Sequence, residues 1–331
     1  MKFIAYSEIW RWLEGLSRDM EVFVPTVRQG GDVGLAPIGT GKFTLDYRRL
    51  SESPKRLLFP QVEEMFRFRG NEVEGSYDYE GGARMLFGIR PCDAAAVATA
   101  DAFFRREPPD PYYVGRRRET VLVVVACSEP DEGCFCPEAG TGPVARFGFD
   151  LQLFPAEEGF WVQVGSERGE EVLSEVEDLP DGEEYVAGFE EDVLKKFEDM
   201  PDLKRASKVL KGDTEGFWSE VEDRCITCGG CTYICPTCTC FDFYDWTTGE
   251  QGERIRTWDS CVFAGFTREA SGHNPRPSQG HRLRRWFEHK LTGSEVPHLL
   301  YRCVGCGRCE RACPGGIGMR PVVEELVKWS A

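Results

Sequence analysis

The first half of the chain alternates between helix-like and strand-like patterns of hydrophobic residues. Apolar residues recur every three or four positions over 7–19, which predicts an amphipathic helix whose apolar stripe contains Trp10, Trp12, Leu13 and Leu16. Residues 21–27 predict a short strand. The runs 84–90 and 121–126 are continuously apolar, which is typical of buried strands, and the second is predicted to lie centrally in a sheet.

The run 84–90 leads through a short turn into a strongly helical segment, 94–104. Asp93 directly precedes this segment, where its carboxylate can cap the helix. Further along, residues 159–165 alternate between apolar and polar in the manner of a strand, and residues 190–210 return to a helical period. The pattern therefore predicts strand–turn–helix units in the first half of the chain.

The second half carries one cysteine spacing twice. Each copy reads C-x2-C-x2-C-x3-C-P, formed by Cys225, Cys228, Cys231 and Cys235 and again by Cys303, Cys306, Cys309 and Cys313. This is the bacterial spacing for a pair of [4Fe-4S] clusters, in which the fourth cysteine of each run ligates the other cluster. We therefore expect one cluster on Cys225, Cys228, Cys231 and Cys313, and a second on Cys235, Cys303, Cys306 and Cys309. Glycines in both loops are expected to take positive φ and let the backbone approach the clusters: residues 229, 230, 305 and 307.

Zinc and disulfides explain the doubled spacing less well. Structural zinc sites use four ligands in two pairs and do not require this run. The 15 cysteines are an odd number, and their tight clustering suits disulfides poorly. Iron–sulfur ligation is the favoured interpretation.

A chain of 331 residues suggests about two domains. We predict an α+β protein in which an α/β domain with a cysteine-ligated site covers 1–188. A helical linker over 189–216 then leads to a ferredoxin-type domain with two [4Fe-4S] clusters over 217–331. The 67 residues between the two cysteine runs carry few strand signals, so we expect this last domain to be mostly helical.

Four more cysteines lie in the first half: Cys92, Cys127, Cys134 and Cys136. The first two each follow a predicted buried strand, and the other two lie in the loop after the second strand. Because the carboxyl ends of neighbouring parallel strands face the same crevice, all four are expected to meet there. They predict a third metal site, for which a [4Fe-4S] cluster is favoured over zinc. Ordinary buried cysteines are the alternative.

Three cysteines and a basic stretch remain. Cys238, Cys240 and Cys261 cannot complete a four-thiolate cluster alone, so we favour packing beside the clusters over ligation of a further one. Residues 268–290 are basic in an otherwise acidic chain. Cations here would stabilise the reduced form of an anionic cluster and raise its reduction potential, or would form a docking surface.

The net charge of −16 argues against nucleic acid as a partner, because nucleic-acid binding needs a basic surface. Residues 167–199 hold 14 acidic and three basic residues, for a local net charge of −11, which predicts a solvated surface or a docking face for a basic partner. The longest apolar run is 121–126, far too short to span a membrane. With no export signal and many free thiols, we expect a reducing cytoplasm and an anaerobic or microaerobic host.

Several short sequence motifs suggest a family. They are G-I-R-P-C-D (88–93), A-C-S-E-P (126–130), C-F-C (134–136), C-P-T-C-T-C-F-D (235–242), W-D-S-C (258–261), G-H-N-P-R (272–276) and V-G-C-G-R-C (304–309). Together they resemble the 4Fe-4S dicluster proteins that include the β subunit of cytosolic sulfhydrogenase and the A subunit of anaerobic sulfite reductase. The resemblance implies an electron-relay subunit. It would sit between a flavoprotein that exchanges electrons with NAD(P)H and a catalytic partner such as a hydrogenase, a sulfite reductase or a heterodisulfide reductase.

We therefore expect an electron-transfer subunit without catalytic residues of its own. The chain contains no G-x-G-x-x-G motif, P-loop or nucleophile elbow. Two alternatives stay open. One is a redox enzyme that binds a flavin or a small substrate near Cys92 and Cys127, and the other is a zinc-stabilised scaffold for assembly.

Overall fold

Two β-sheets and a set of mostly short helices form the part of the chain that the computed structural model describes, residues 1–74, 81–173 and 182–329. The strands are β1 (Lys2–Ala5), β2 (Glu21–Val27), β3 (Val33–Pro37), β4 (Lys42–Phe43), β5 (Val62–Arg69), β6 (Glu72–Glu74), β7 (Arg84–Ile89), β8 (Thr120–Val125), β9 (Leu151–Pro155), β10 (Gly159–Val164), β11 (Phe241–Thr248) and β12 (Gln251–Trp258). The helices are α1 (Tyr6–Leu16), α2 (Lys55–Leu58), α3 (Pro91–Phe104), α4 (Pro111–Arg118), α5 (Glu167–Val172), α6 (Gly182–Leu194), α7 (Leu203–Val209), α8 (Glu215–Glu222), α9 (Gly230–Tyr233), α10 (Gln279–Leu291), α11 (Arg308–Arg311) and α12 (Met319–Trp329).

The larger sheet has eight strands within the described residues, in the order β1-β10-β9-β8-β7-β2-β3, with β4 also paired to β2. Its middle strands β2, β7, β8 and β9 run parallel, and the outer strands pair antiparallel. All six residues of β8 are buried, so the prediction of a central strand at 121–126 is confirmed. The parallel neighbours β7 and β8 therefore end at the same edge of the sheet.

Both faces of this sheet are covered, because alternate residues of each central strand point to opposite sides. On one face, Met85 and Phe87 of β7 pack with Ile9 and Leu13 of α1. Trp10, predicted to lie on the apolar stripe of this helix, is instead 37% exposed. The buried face of α1 is therefore narrower than the sequence pattern indicated.

On the opposite face, Leu86 of β7 and Leu122 of β8 pack with Ala94 and Val97 of α3. Helix α3 is apolar nearly all round, with ten of its fourteen residues buried. This explains why the alanine-rich segment 94–104 is readily recognised as helical. A helix that is apolar on every side must be covered on every side, and the second half of the chain provides that cover.

The second sheet is formed by distant parts of the chain. Its order is β11-β12-β5-β6, so the hairpin β11–β12 from between the two cysteine runs pairs with strands near residue 65. We expected this last part of the chain to be mostly helical, and the hairpin was missed. Every residue of β11 after Phe241 is exposed, so its sequence lacks the alternating burial pattern that marks a strand.

Buried ion pairs join the same two parts of the chain. The Arg256 side chain on β12 is only 1% exposed and pairs with Glu63 on β5 and with Asp110 at the start of α4. A second core packs around Trp286 and Phe287 of α10 and includes residues of α7, α8 and α12. The cysteine runs of the second half therefore lie between this core and the first-half sheet.

The acidic stretch 167–199 is only partly described. It contains α5 and α6, while residues 174–181 lie outside the described part of the chain. Among the helices that the structure describes, none has both the length and the apolar character needed to cross a bilayer.

Candidate metal centres

The two cysteine runs of the second half fold into matching loops. In each, a glycine in the left-handed region, Gly229 (φ 72°) or Gly307 (φ 69°), begins a short helix, α9 or α11. Two residues earlier, Thr227 (φ 56°) and Gly305 (φ 61°) also have positive φ. Our expectation for Gly230 was wrong, because it is the first residue of α9 and its φ is not positive. Thr227 occupies the second left-handed position in its place.

The first group of thiols surrounds a cavity. About 330 Å³ of space is free of protein atoms here, part of it open to solvent. The wall includes four cysteines, three from the second loop and one from the first: Cys303, Cys306, Cys309 and Cys235. Apolar and cationic side chains complete the wall: Phe135, Trp286, Met319 and Lys290. The fold thus brings together the four residues that the crossed pattern predicts for one cluster.

The second group forms around Cys231. Burial, followed by the charges of Cys313, Cys225, Cys235 and Cys228, raises the pKa of the Cys231 thiol to about 12. Cys231, Cys313, Cys225 and Cys228 are the four residues predicted for the other cluster. Cys235, which also lines the cavity, lies close to both groups. Cys228 is the one exposed cysteine of the 15 in the chain, so this group reaches the surface.

Several donors point at the sulfur atoms of both groups. The bonds run from Ile317 N to Cys313 Sγ (3.3 Å), Gln279 Nε2 to Cys225 Sγ (3.2 Å), Met319 N to Cys309 Sγ (3.3 Å) and Gly305 N to Cys303 Sγ (3.5 Å). Donors of this kind stabilise negative charge on sulfur and tune the potential of a cluster. They suit thiolates better than neutral thiols.

The electrostatics of these groups fit an inorganic cationic core. Burial raises the pKa of Cys303 to about 12, with the charges of Cys306 and Cys235 adding to it. Several such thiols cannot ionise side by side unless bound metal supplies compensating positive charge. Within the described ranges, no three His, Cys, Asp or Glu side chains are arranged to hold a single metal ion.

The first-half cysteines begin with a strand that ends in a bulge. Gly88 has φ 80° and shifts the β7–β8 register just before the turn, which redirects the chain into α3. The helix begins at Pro91, three residues earlier than predicted, so Cys92 lies in its first turn. Arg90 is therefore the N-cap residue, and Asp93, expected to precede the helix, is its third residue. The Asp93 carboxylate still caps the helix, because it accepts from the Arg90 backbone N–H at 3.3 Å.

The four first-half cysteines converge near Cys136. Burial raises the pKa of Cys136 well above its usual range, and the charges of Cys127, Cys134 and Cys306 raise it further. Burial and the charges of Asp93, Cys306 and Cys136 do the same to the pKa of Cys92. The sequence did not predict that Cys306, from the second half, would lie so close to this group.

This closeness follows from direct stacking of two loops. Phe135 N donates to Gly305 O at 2.8 Å, and Thr141 Oγ1 donates to Val304 O at 2.7 Å. A Cβ on Gly305 would lie 2.6 Å from the Cys136 backbone. Only glycine permits so close an approach, so the first-half site and the 303–309 loop are in van der Waals contact.

Two arginines at this junction were missed by sequence reasoning. Arg308 forms a bidentate ion pair with Asp93, at 2.7 and 3.1 Å, and both side chains are almost fully buried. Arg49 pairs with Asp131 at 3.1 Å and reaches Cys134 Sγ at 3.8 Å. No local pattern marks Arg49, whereas Asp93 and Arg308 both belong to the short sequence motifs that indicated the family.

The basic stretch 268–290 mostly serves local structure. Arg282 donates to the backbone carbonyls of Val262, Arg276 and Pro277, and Arg284 pairs with Glu288. Lys290 differs from these, because it is buried in the wall of the cysteine cavity. Lys290 therefore has the position needed to influence a cluster.

The three unassigned cysteines lie at the base of the β11–β12 hairpin. Asp259 N donates to Cys240 O at 3.0 Å, which extends the hairpin pairing and brings Cys240 beside Cys261. A hydrogen bond from Cys261 lowers the pKa of Cys240 to about 7. Cys238 is buried in the same core as the two cysteine runs. The trio therefore packs against the metal-site loops.

Comparisons with known proteins agree with this geometry. The profile of a family described as the 4Fe-4S dicluster domain matches residues 224–317. The chain is 34% identical over 293 residues to sulfhydrogenase 2 subunit beta of Pyrococcus furiosus, and the match covers 86% of each chain. It is 28% identical over 183 residues to F420-dependent formate dehydrogenase subunit beta of Methanocaldococcus jannaschii, covering 52% of this chain and 40% of that protein. No solved structure matches the chain.

Proposed function

Because this chain belongs to the 4Fe-4S dicluster protein family that includes the sulfhydrogenase β subunit, we propose that it relays electrons between two other subunits. It is an iron–sulfur electron-transfer subunit of an oxidoreductase complex. On one side we propose a flavoprotein that exchanges electrons with NAD(P)H. On the other we propose a catalytic redox subunit of the hydrogenase, sulfite reductase or heterodisulfide reductase type. The hydrogenase assignment takes support from the name of the relative that matches over 86% of its length.

The ligands of the two clusters are proposed to cross between the loops. One cluster is held by Cys225, Cys228, Cys231 and Cys313, and the other by Cys235, Cys303, Cys306 and Cys309. The shared cavity supports the second set, and the neighbours of Cys231 support the first. When bound, such clusters accept and release electrons one at a time.

A third [4Fe-4S] cluster is proposed in the first half of the chain. Its ligands are Cys92, Cys127, Cys134 and Cys136. The support is their convergence near Cys136 and the nearby Arg49 guanidinium, which can balance thiolate charge. This site would also stabilise the fold, because it closes the strand ends of the larger sheet.

One observation carries the relay proposal: the cysteine groups follow one another through the molecule. Cys228 is exposed at one end, Cys235 joins the first loop to the cavity of the second, and Gly305 stacks on the Cys136 loop. Buried side chains such as Phe135 and Trp286 exclude water along the way. The chain's own role in this proposal is to hold the centres in series and insulate them.

The proposal is tested by anaerobic purification of the full chain, followed by analysis for iron, acid-labile sulfide, zinc and flavin. About twelve irons per chain, with matching sulfide, are expected for three clusters, and about eight for the dicluster pair alone. The loaded chain should then be reduced by a flavoprotein partner and NAD(P)H, and reoxidised by the catalytic subunit. A zinc-loaded chain without iron would favour the scaffold, and tightly bound flavin would favour an enzyme.

A further inference from the structure

Two buried ammonium groups lie among the second-half cysteines. Lys290 on α10 is 1% exposed and Lys55 on α2 is 7% exposed. Neither ammonium forms an ion pair with a carboxylate among the described residues; their hydrogen bonds to oxygen all go to neutral groups. Because burial of an unpaired charge is costly, such groups are retained where an anion offsets them.

Lys55 is satisfied largely by local groups. Its Nζ donates to the carbonyls of Tyr233 and Cys238, each at 3.2 Å, and lies 3.7 Å from the centre of the Trp258 ring. Carbonyl oxygens and the face of an indole ring both stabilise a cation. Lys55 therefore has a structural explanation, because it fastens α2 to the first cysteine loop and the hairpin.

Lys290 has fewer neutral oxygen partners and faces the cavity. Its Nζ donates to Thr237 Oγ1 at 2.7 Å, and Thr237 Oγ1 lies 3.4 Å from Cys235 Sγ. An ammonium can only donate, so the Thr237 oxygen accepts from it and its own hydroxyl hydrogen is left for the sulfur. The order of donation is therefore Lys290 to Thr237 to Cys235, and it ends on a cavity thiolate.

The backbone holds Lys290 in place at the same point. Its carbonyl accepts from Arg302 N at 3.0 Å and from Cys303 N at 3.1 Å. The side chain and the main chain of Lys290 thus contact both halves of the cavity wall, the Cys235 side and the Cys303 side. This arrangement fixes a positive charge beside one of the two sets of cluster ligands.

We propose that Lys290 is the counter-charge of the cluster held by Cys235, Cys303, Cys306 and Cys309, and that it raises the reduction potential of this cluster through Thr237. The inference rests on the proposed function. Reduction adds one negative charge to a cluster, so a fixed nearby cation favours the reduced form. Two buried arginines also lie beside this loop, but Arg308 is paired with Asp93 and Arg49 with Asp131, so carboxylates offset their charges.

The test is a redox titration of the anaerobically purified full chain, followed by electron paramagnetic resonance. In Lys290→Met, the ratio of reduced to oxidised centre at a fixed potential should fall about 10-fold for one cluster, equivalent to about 59 mV for a one-electron couple. The signal of the Cys225-containing cluster should stay unchanged. Lys290→Arg keeps the charge and should shift the ratio less than about 3-fold. Lys328→Met, on the exposed end of α12, is the matched control.

Thr237→Val tests the effect on the reduction potential while the buried Lys290 charge stays in place. It removes the hydroxyl that joins Lys290 to Cys235 and should lower the same ratio by about 2- to 5-fold, as expected for one lost hydrogen bond to sulfur. If Lys290→Met purifies without full iron, Thr237→Val becomes the deciding variant, and an unchanged reduction potential in it would overturn the inference. The inference would also be overturned if Lys290→Met kept full iron and unchanged reduction potentials, or if the potentials of both clusters shifted equally. A wild-type chain free of iron would overturn the proposed function itself.

Discussion

Cys235 follows the first cysteine run in the sequence but lines a cavity with the cysteines of the second run. Its charge also raises the pKa of Cys231, so it lies close to both groups of cysteines. Cys313 likewise contributes to the charge around Cys231. Under the proposed crossed assignment, each loop depends on one residue of the other.

Replacing Cys235 tests this dependence. In Cys235→Ser, the loss should fall on the cluster of the distant Cys303 loop, with iron content lower by about four atoms per chain and the other cluster retained. Iron analysis and electron paramagnetic resonance of the reduced protein measure this. Cys240→Ser is the control and should keep both clusters, because the Cys240 thiol is hydrogen-bonded to Cys261, which is outside both sets of proposed ligands. Loss confined to the Cys225 loop would contradict the crossed assignment.

The first-half site has its own residue-level test. Cys136 lies at the centre of its group, so Cys136→Ser should remove one spectroscopic signal and about four irons while leaving the dicluster pair in place. Reduced-state spectra at several temperatures can separate the signals. An unchanged spectrum and iron content would show that no third cluster exists in the wild-type chain.

At the scale of single residues, the cysteine runs are recognisable from the sequence, whereas the individual cations beside them are not. The spacing of a cysteine run is a local property, because the loop that wraps a cluster is continuous in sequence. Lys290 lies in the basic stretch 268–290, for which an effect on a cluster was expected, but the pattern does not single it out. Nothing in the local sequence marks Arg49, which contacts Cys134. Only the fold shows which cations face a sulfur atom.

At the scale of elements, the glycines of the two cysteine loops differ in backbone conformation and in the space around them. Gly305 and Gly307 have positive φ, and a Cβ on either would collide with the backbone of the 133–136 loop. Gly230 is helical, and a Cβ there would have only ordinary contacts at 3.4 and 3.6 Å. The two cysteine loops therefore have similar backbone conformations, but their glycines are packed differently.

These differences predict unequal responses to alanine. Gly305→Ala should separate the second loop from the Cys136 loop and destabilise the loaded protein by about 1–3 kcal/mol, since both strain and collision act there. Gly230→Ala is the matched control and should be neutral or slightly stabilising, because alanine favours the helix. Chemical denaturation of both variants, with iron content measured in parallel, gives the comparison. Equal stability of the two would refute the stacking argument.

Elements were predictable where burial was uniform. Strands β7 and β8 and helix α3 are nearly fully buried, so their apolar runs were clear in the sequence. The hairpin β11–β12 was not, because its residues are largely exposed and its partner strand β5 lies almost 190 residues away. Pairing of distant strands is a tertiary effect that local patterns do not contain.

At the scale of the whole molecule, the first and second halves are joined by a buried ion pair. Arg308 and Asp93 are 2% and 0% exposed, and Arg308 Nε also donates to Leu50 O at 3.1 Å. Asp93 at the same time caps α3, which carries Cys92. The pair therefore links the helix that carries Cys92 to the loop that carries Cys306 and Cys309.

Breaking this pair should cost far more than breaking an exposed one. Arg308→Met leaves the Asp93 carboxylate buried without its partner and should destabilise the protein by about 3–5 kcal/mol. Arg311→Met is the matched control three residues along, because Arg311 pairs with Asp32 across 3.5 Å on the surface, and its loss should cost under about 1 kcal/mol. The denaturant midpoints of the two variants measure this difference in stability, and similar midpoints would show that the buried Arg308–Asp93 pair does not hold the two halves together.

The α+β character and the order of the parts along the chain were predictable from sequence, because they follow from where apolar runs and cysteine runs occur. The extent of contact between the parts was not. The ranges 1–188 and 217–331 describe sequence blocks, whereas a shared sheet and the buried Arg256 network cross between them.

The shared sheet also bears on how the protein is made. Strand β5 leaves the ribosome long before β12, the partner with which it pairs from Thr257 to Gln251. Until then its edge stays open, and open strand edges invite aggregation in incomplete chains. Synthesis must pass residue 258 before the second sheet can close, and residue 313 before the last cysteine is present. Under the proposed crossed assignment, the two clusters of the second half can therefore be completed only on an almost finished chain.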